Sequence, residues 1–190
     1  SASLINVASA ANVKNFEVLD LAGFNGSLDA KLLTASTITS AALSSATGAS
    51  ATLINLPGTT SLDVTGFVDQ AAYNTATLGT VVLKQAGADT ATTDSLAVNF
   101  NAAPTAVQAA GGNFSTVGSL TVNGTETVNI SSAGNANVNG NAIVSLNDAL
   151  NQLSKVVITG DKAFILGDAS TNTAAIAATA DVASTLKLID

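Results

Sequence analysis

The sequence predicts a mainly β protein: a β-solenoid, with rungs stacked as in a parallel β-helix, plus a few short helices. Three observations predict it. First, a short apolar signature recurs as "SLDA" at Ser27, "SLDV" at Ser61, "SLAV" at Ser95 and "SLTV" at Ser119, with spacings of 34, 34 and 24 residues. A repeat of this size marks an array in which one unit cannot bury its own apolar face and shares a core with its neighbours. Second, short apolar runs end at Gly, Asn, Asp or Ser: "ATLINL" at Ala51, "TVVLKQ" at Thr80, "KVVITG" at Lys155, "AFILGD" at Ala163 and "TLKLID" at Thr185. Such runs read as strands punctuated by turns. Third, the chain is 47% hydrophobic but only 4% aromatic, with no Trp or Met. Its core must be assembled from Ala, Val, Leu and Ile packed closely. A β-sandwich is the competing all-β arrangement, and it expects bulkier anchors and cleaner alternation.

Taken in order, the strand pieces are separated by turns with identifiable chemistry. Gly supplies positive φ, and Asn and Asp bond their own backbone. "NG" at Asn25, Asn123 and Asn139 is a tight-turn signal. "DAKLLTAS" from Asp29 predicts a short helix behind a capping Asp. "NDALNQLSK" from Asn147 predicts another, with Ala149, Leu150 and Leu153 on one face. "VDQAAYN" near Asp69 and "APTAVQAA" near Ala103 are weaker helical pieces. Residues 1–190 read as one continuous segment, with an insertion or boundary near 102–112. The absence of methionine predicts a trimmed or excised fragment.

Composition excludes several function classes. Net charge is −7, and the six basic residues are all lysines. Nucleic-acid binding needs a basic stripe to neutralise phosphates, and there is none. With no His, Cys or Arg, there is no Cys or His nucleophile–base pair, no arginine clamp and no imidazole or thiolate zinc site. The uncharged run from Leu32 to Leu62 is interrupted by Ser, Thr, Asn, Gly48 and "LPG" at Leu56–Gly58, too polar for a membrane span. Paired carboxylates hydrolyse glycosides, but Tyr73 and six Phe leave few rings to stack on a sugar, and Phe16 and Phe164 sit in apolar contexts that suit a core. The expectation is a protein without enzymatic activity. Asn-x-Ser/Thr triplets at Asn25, Asn113, Asn123 and Asn129 are frequent by chance in such a composition, and tight turns or Asn ladders are the expected role.

The stretches "VKNFEVLDLAG", "NGSLDAKLL", "SLDVTGF", "SLTVNGTETVNISSAG" and "LSKVVITGDKAFILGDAS" resemble the repeat region of Gram-negative surface-layer proteins and related large exoproteins exported by type I secretion. The more specific part is a V-x-G-x-E-x-V-N frame followed by L-x-x-V-x-I-T-G-D-K, covering Val122 to Asp168. The resemblance implies an extracellular, cell-surface β-solenoid that is stabilised by calcium and self-associates into a lattice. Attachment to outer-membrane polysaccharide would use another region. The chain departs from calcium-binding exoprotein repeats in one respect: nothing reads "GGxGxD". Calcium must then come from scattered carboxylates or from a neighbouring region.

Asp161 and Asp168, seven residues apart and each after a glycine, are candidate calcium ligands, with Asp63, Asp20 and Asp29 at the ends of or within strand-like runs. Calcium takes six to eight oxygens, and this chain has little else to offer a metal. The same aspartates are equally turn caps. The only two glutamates, Glu17 and Glu126, each precede apolar residues at +2 and +4: Leu19 and Leu21, then Val128 and Ile130. Period-two parity turns both glutamates inward, where turn amides of an adjoining rung must satisfy them. Both are expected to be structural carboxylates at one repeated corner. Two rival functions remain: an adhesin, with binding loops at Ala102 to Gly112 and Val68 to Asn74, and a polysaccharide-active enzyme.

Overall fold

Alternation of apolar and small polar residues sets the whole architecture. In "SLAVNFNA", Leu96, Val98, Phe100 and Ala102 are buried while Ser95, Ala97, Asn99 and Asn101 face outward. The structure, a computed structural model, describes residues 12–69, 78–106, 113–167 and 187–189. In chain order its strands are β1 (Val18–Asp20), β2 (Asn25–Asp29), β3 (Ser40–Leu43), β4 (Ser50–Leu56), β5 (Ser61–Val64), β6 (Val68–Asp69) and β7 (Thr80–Gln85). They continue with β8 (Ser95–Ala102), β9 (Asn113–Asn123), β10 (Thr127–Gly134), β11 (Val138–Asn147), β12 (Lys155–Gly160), β13 (Ala163–Leu166) and β14 (Lys187–Ile189). The protein is mainly β, with two parallel sheets.

One sheet has the order β1-β3-β5-β8-β10-β12-β14 and the other β13-β11-β9-β7-β4-β2. Successive strands therefore alternate between sheets, apart from β6, which pairs antiparallel with β9. Register lines up like with like. In the first sheet Leu19, Ala41, Leu62, Val98, Ile130 and Ile158 form one inward column. In the second, Leu28, Leu53, Leu83 and Val122 form another. The two sets meet in one core cluster. Burying each Leu or Val stabilises by roughly 1.5–3 kcal/mol; Val68 of β6 packs apart from this cluster, with Ala46.

Several sequence expectations change. The "SL" signature is not one position of one repeat. Ser61 and Ser95 open strands of the first sheet, whereas Ser27 and Ser119 lie in the second. The signature encodes "one outward, one inward" for any strand here. The helix expected from Asp29 is a single 3-10 turn, Ala30–Leu32, with the Asp29 side chain accepting from Lys31 N. "NDALNQLSK" forms no helix. The Asp148 carboxylate takes the amides of Leu150, Gln152 and Leu153, fixing a non-helical turn in the way short polar side chains compete with helix. Val68–Asp69 is strand, and Ala103–Ala106 is irregular; the rest of those two helical pieces lies outside the described residues. Phe16 is not core: it is 49% exposed. Phe100 fills that role, edge-on to Phe164 at 5.7 Å.

Candidate functional site

The side chains singled out from the sequence sit at strand ends and on outward columns. Asp20, which closes β1, accepts from Ser44 Oγ at 2.7 and 2.8 Å and from Ala22 N. Asp29 accepts from Asn55 Nδ2 at 2.9 Å as well as from Lys31 N. Asp63, in the middle of β5, accepts from Asn99 Nδ2 at 2.8 Å and Ser61 Oγ at 3.0 Å. In each case a carboxylate grips a hydroxyl or amide 24, 26 or 36 residues further on, on or beside the next strand of its own sheet. These acids act as clasps between neighbours.

The four candidate aspartates among the described residues, Asp20, Asp29, Asp63 and Asp161, are not brought together. Asp20 and Asp63 share an outward column with Ala42 between them, which separates them by two strand spacings, roughly 10 Å. Asp29 belongs to the other sheet. Asp161 is exposed in the bend between β12 and β13, and Asp168 lies outside the described residues. Among the described residues no group of three or more Asp, Glu, His or Cys could hold a metal ion. No helix among them is long and apolar enough to cross a membrane.

The two glutamates differ. Glu17 is exposed, a correction to its inward placement. It precedes β1 rather than belonging to it, so strand parity does not govern its side chain. Its carbonyl is what the fold uses, accepting from Thr39 N, Ser40 N and Thr39 Oγ1. Glu126 is half-buried, and its Oε2 accepts from Asp94 N at 2.6 Å. Its carbonyl in turn accepts from Ser154 N, Lys155 N and Ser154 Oγ. Glu126 therefore joins the turn before β8, the turn before β10 and the turn before β12.

Those three turns form a corner that the sequence did not announce. Gly124 has φ +74° and lies so close to Ala88 that a Cβ would strike its backbone and side chain, so only glycine lets the turns before β8 and β10 nest. Asp94 O accepts from both Glu126 N and Thr127 N. Gln85, 3% exposed, donates through Nε2 to Gly58 O and Ser95 O. Of the seven buried side-chain atoms without a hydrogen-bond partner among the described residues, all are oxygens. Four belong to residues of these turns or the strand ends beside them: Gln85 Oε1, Asp94 Oδ2, Asn123 Oδ1 and Gln152 Oε1. The sequence signal available was that Asp94 and Glu126 each stand immediately before a strand-like run; nothing in it paired them.

A shallow groove on the outer face of the first sheet is lined by Ala97, Asn99, Asn129, Ser131, Val157 and Thr159. It holds no acid or base. No family model matches the chain, and no curated protein and no solved structure matches it either.

Proposed function

We propose that the chain is a structural, non-enzymatic segment of an extracellular surface layer. In this reading its strands wind as a β-solenoid and its copies associate into a lattice held by calcium. The observation that carries the reading is the alternation of consecutive strands, β6 apart, between two parallel sheets from β1 to β14. Such a chain gains its core only by stacking, which makes it a rod rather than a container for a substrate. The candidate residues support a structural role in the same way: Asp20, Asp29, Asp63 and Glu126 each spend hydrogen bonds on the neighbouring layer. The resemblance of Val122 to Asp168 to surface-layer repeats is consistent with this and supplies the cell-surface and calcium parts of the proposal.

Assembly is the test. The purified chain, followed by light scattering and electron microscopy, is expected to form ordered sheets or rods in millimolar calcium and to disperse in a chelator. A chain that stays monomeric at all concentrations with calcium present would overturn the lattice reading. Assembly that ignores the chelator would overturn its calcium part alone.

A further inference from the structure

We infer that Asn129 is a glycosylation site, its side-chain nitrogen carrying an uncharged hexose on the outer face of the first sheet. The Asn-x-Ser/Thr triplets at Asn25, Asn113, Asn123 and Asn129 each offer an acceptor of this class, and the fold separates them. Asn113 is fully buried, and its Nδ2 donates to Ala106 O and Asn137 O. A sugar there would break both bonds and has no room. Asn123 has its Oδ1 buried, and Gly124 after it is wedged against Ala88. Asn25 and Asn129 are exposed, so the choice between them falls to their surroundings.

Neither role expected of such asparagines is open to Asn129. It stands inside β10, not in a turn. It belongs to no ladder, because its register neighbours are Ala97 on β8 and Val157 on β12, whose side chains have no polar atom. Elsewhere outward amides clasp the next strand: Asn55 to Asp29, Asn99 to Asp63 and Asn147 to Ser119. The Asn129 side chain makes no hydrogen bond among the described residues, and neither does the hydroxyl of Ser131, the third residue of its triplet. Strand parity puts the two on one face, where both line the shallow groove with Ala97, Asn99, Val157 and Thr159. That groove measures about 210 Å³, against roughly 300–1,000 Å³ for pockets that take drug-sized ligands. It has room for a single ring, offers Ala97 and Val157 to lie against, and holds no acid or base to attract a charged sugar. Transfer forms a bond from Asn129 Nδ2 to the anomeric carbon and breaks that carbon's bond to a phosphate oxygen. The donor is a nucleotide- or lipid-linked glycosyl phosphate, brought by a separate transferase. The amide loses one proton to the transferase's base, the phosphate leaves with the bonding pair, and nothing is oxidised or reduced. The site rests on neither the lattice nor the calcium of the proposed function.

The experiment is peptide mapping by electron-transfer mass spectrometry on the protein isolated from the cells that make it. The peptide holding Asn129 is expected to carry sugar on that residue, with Asn113 and Asn123 bare. A single hexose identifies the nucleotide-linked donor and a preassembled chain the lipid-linked one; either supports the site. In the same cells Ser131→Ala is expected to abolish the modification and Ser131→Thr to keep it, because the acceptor triplet needs a hydroxyl at its third position. Made in a host without such transferases, Ser131→Ala is expected to melt like the parent, since that hydroxyl bonds nothing in the fold. A merely structural serine would lower the melting temperature instead. Asn129→Gln, which keeps an amide outside the acceptor pattern, is the second variant and is expected to be bare and equally stable. Bare Asn129 in the cell-derived protein would overturn the site. So would sugar on Asn25 with Asn129 empty, sugar on Asn113 or Asn123 of the folded protein, or sugar persisting on Asn129 in Ser131→Ala.

Discussion

The strands before β7 are narrower than the four from β8 to β11. In the first sheet β1, β3 and β5 have three, four and four residues, whereas β8 and β10 have eight each. In the second sheet β2 and β4 have five and seven, against eleven and ten for β9 and β11. The growth is symmetric where it can be followed. Asp63 pairs with Asn99, so β8 begins two residues before the level of Ser61 and ends two after the level of Val64. A wider strand brings one more inward position at each end. That is where Leu96 and Ala102 enter the core, and the column Leu43–Val64 gains the larger Phe100 before passing to Ser132 and Gly160.

This widening also explains the unequal glutamates. Register carries Leu19 to Ile130 through Ala41, Leu62 and Val98. Glu17 stands two residues before that column and Glu126 four before it. The shared sequence frame is therefore not a shared level. Glu126 starts a wide strand with β8 alongside it, and its carboxylate reaches the Asp94 amide. Glu17 starts a narrow one and points to solvent.

The sharpest way to break the contrast is to empty the wide half of its largest core side chain. Phe100 is 1% exposed and stacks edge-on with Phe164. Phe100→Ala is expected to destabilise by about 4 kcal/mol, read as a lowered denaturant midpoint. Leu43→Ala, in the same column of the narrow half and fully buried, is expected to cost about 3 kcal/mol. Equal or reversed losses would mean that strand width does not decide where the core is strongest. Gly124→Ala comes next. It forces a side chain into φ +74° against Ala88, and a loss of roughly 2 kcal/mol is expected from strain and displacement together. A neutral outcome would show that the turns before β8 and β10 are not tightly nested.

How much of this was legible in the sequence depends on the range of the signal. Parity within a strand is local, so "SLAVNFNA" and "TVVLKQ" disclose their inward faces at once: Leu96, Val98 and Phe100, and Val81 and Leu83. The mainly β class follows from that local pattern. Register between strands is not local. Ser27 and Ser61 begin look-alike tetrapeptides yet occupy different sheets, because the intervening turns differ in length and nothing in four residues records that. The Asp148 turn reads as a helix in the sequence because Asn147 followed by Ala149, Leu150 and Leu153 looks the same in both. Only the buried carboxylate collecting three amides distinguishes them. The Asp94–Glu126 corner was invisible for the same reason as the register: its partners are 32 residues apart.

The smallest expected effects sharpen the comparison most, because they isolate the glutamates themselves. Glu126→Ala removes a charge-assisted hydrogen bond and leaves the Asp94 amide without its acceptor. A half-buried bond of this kind contributes about 1–2 kcal/mol after allowance for solvent screening, so the melting temperature should fall by several degrees. Glu17→Ala removes only an exposed side chain. Its structural contribution is the backbone carbonyl that holds Thr39 and Ser40, and alanine keeps that carbonyl. The expected change is within about 0.5 kcal/mol. Measured side by side by thermal denaturation, the two substitutions separate what a shared sequence frame encodes from what the adjoining strand supplies. If Glu17→Ala proved as damaging as Glu126→Ala, the first strand would have a partner for that carboxylate, and the difference between narrow and wide rungs would have to be sought in the core alone.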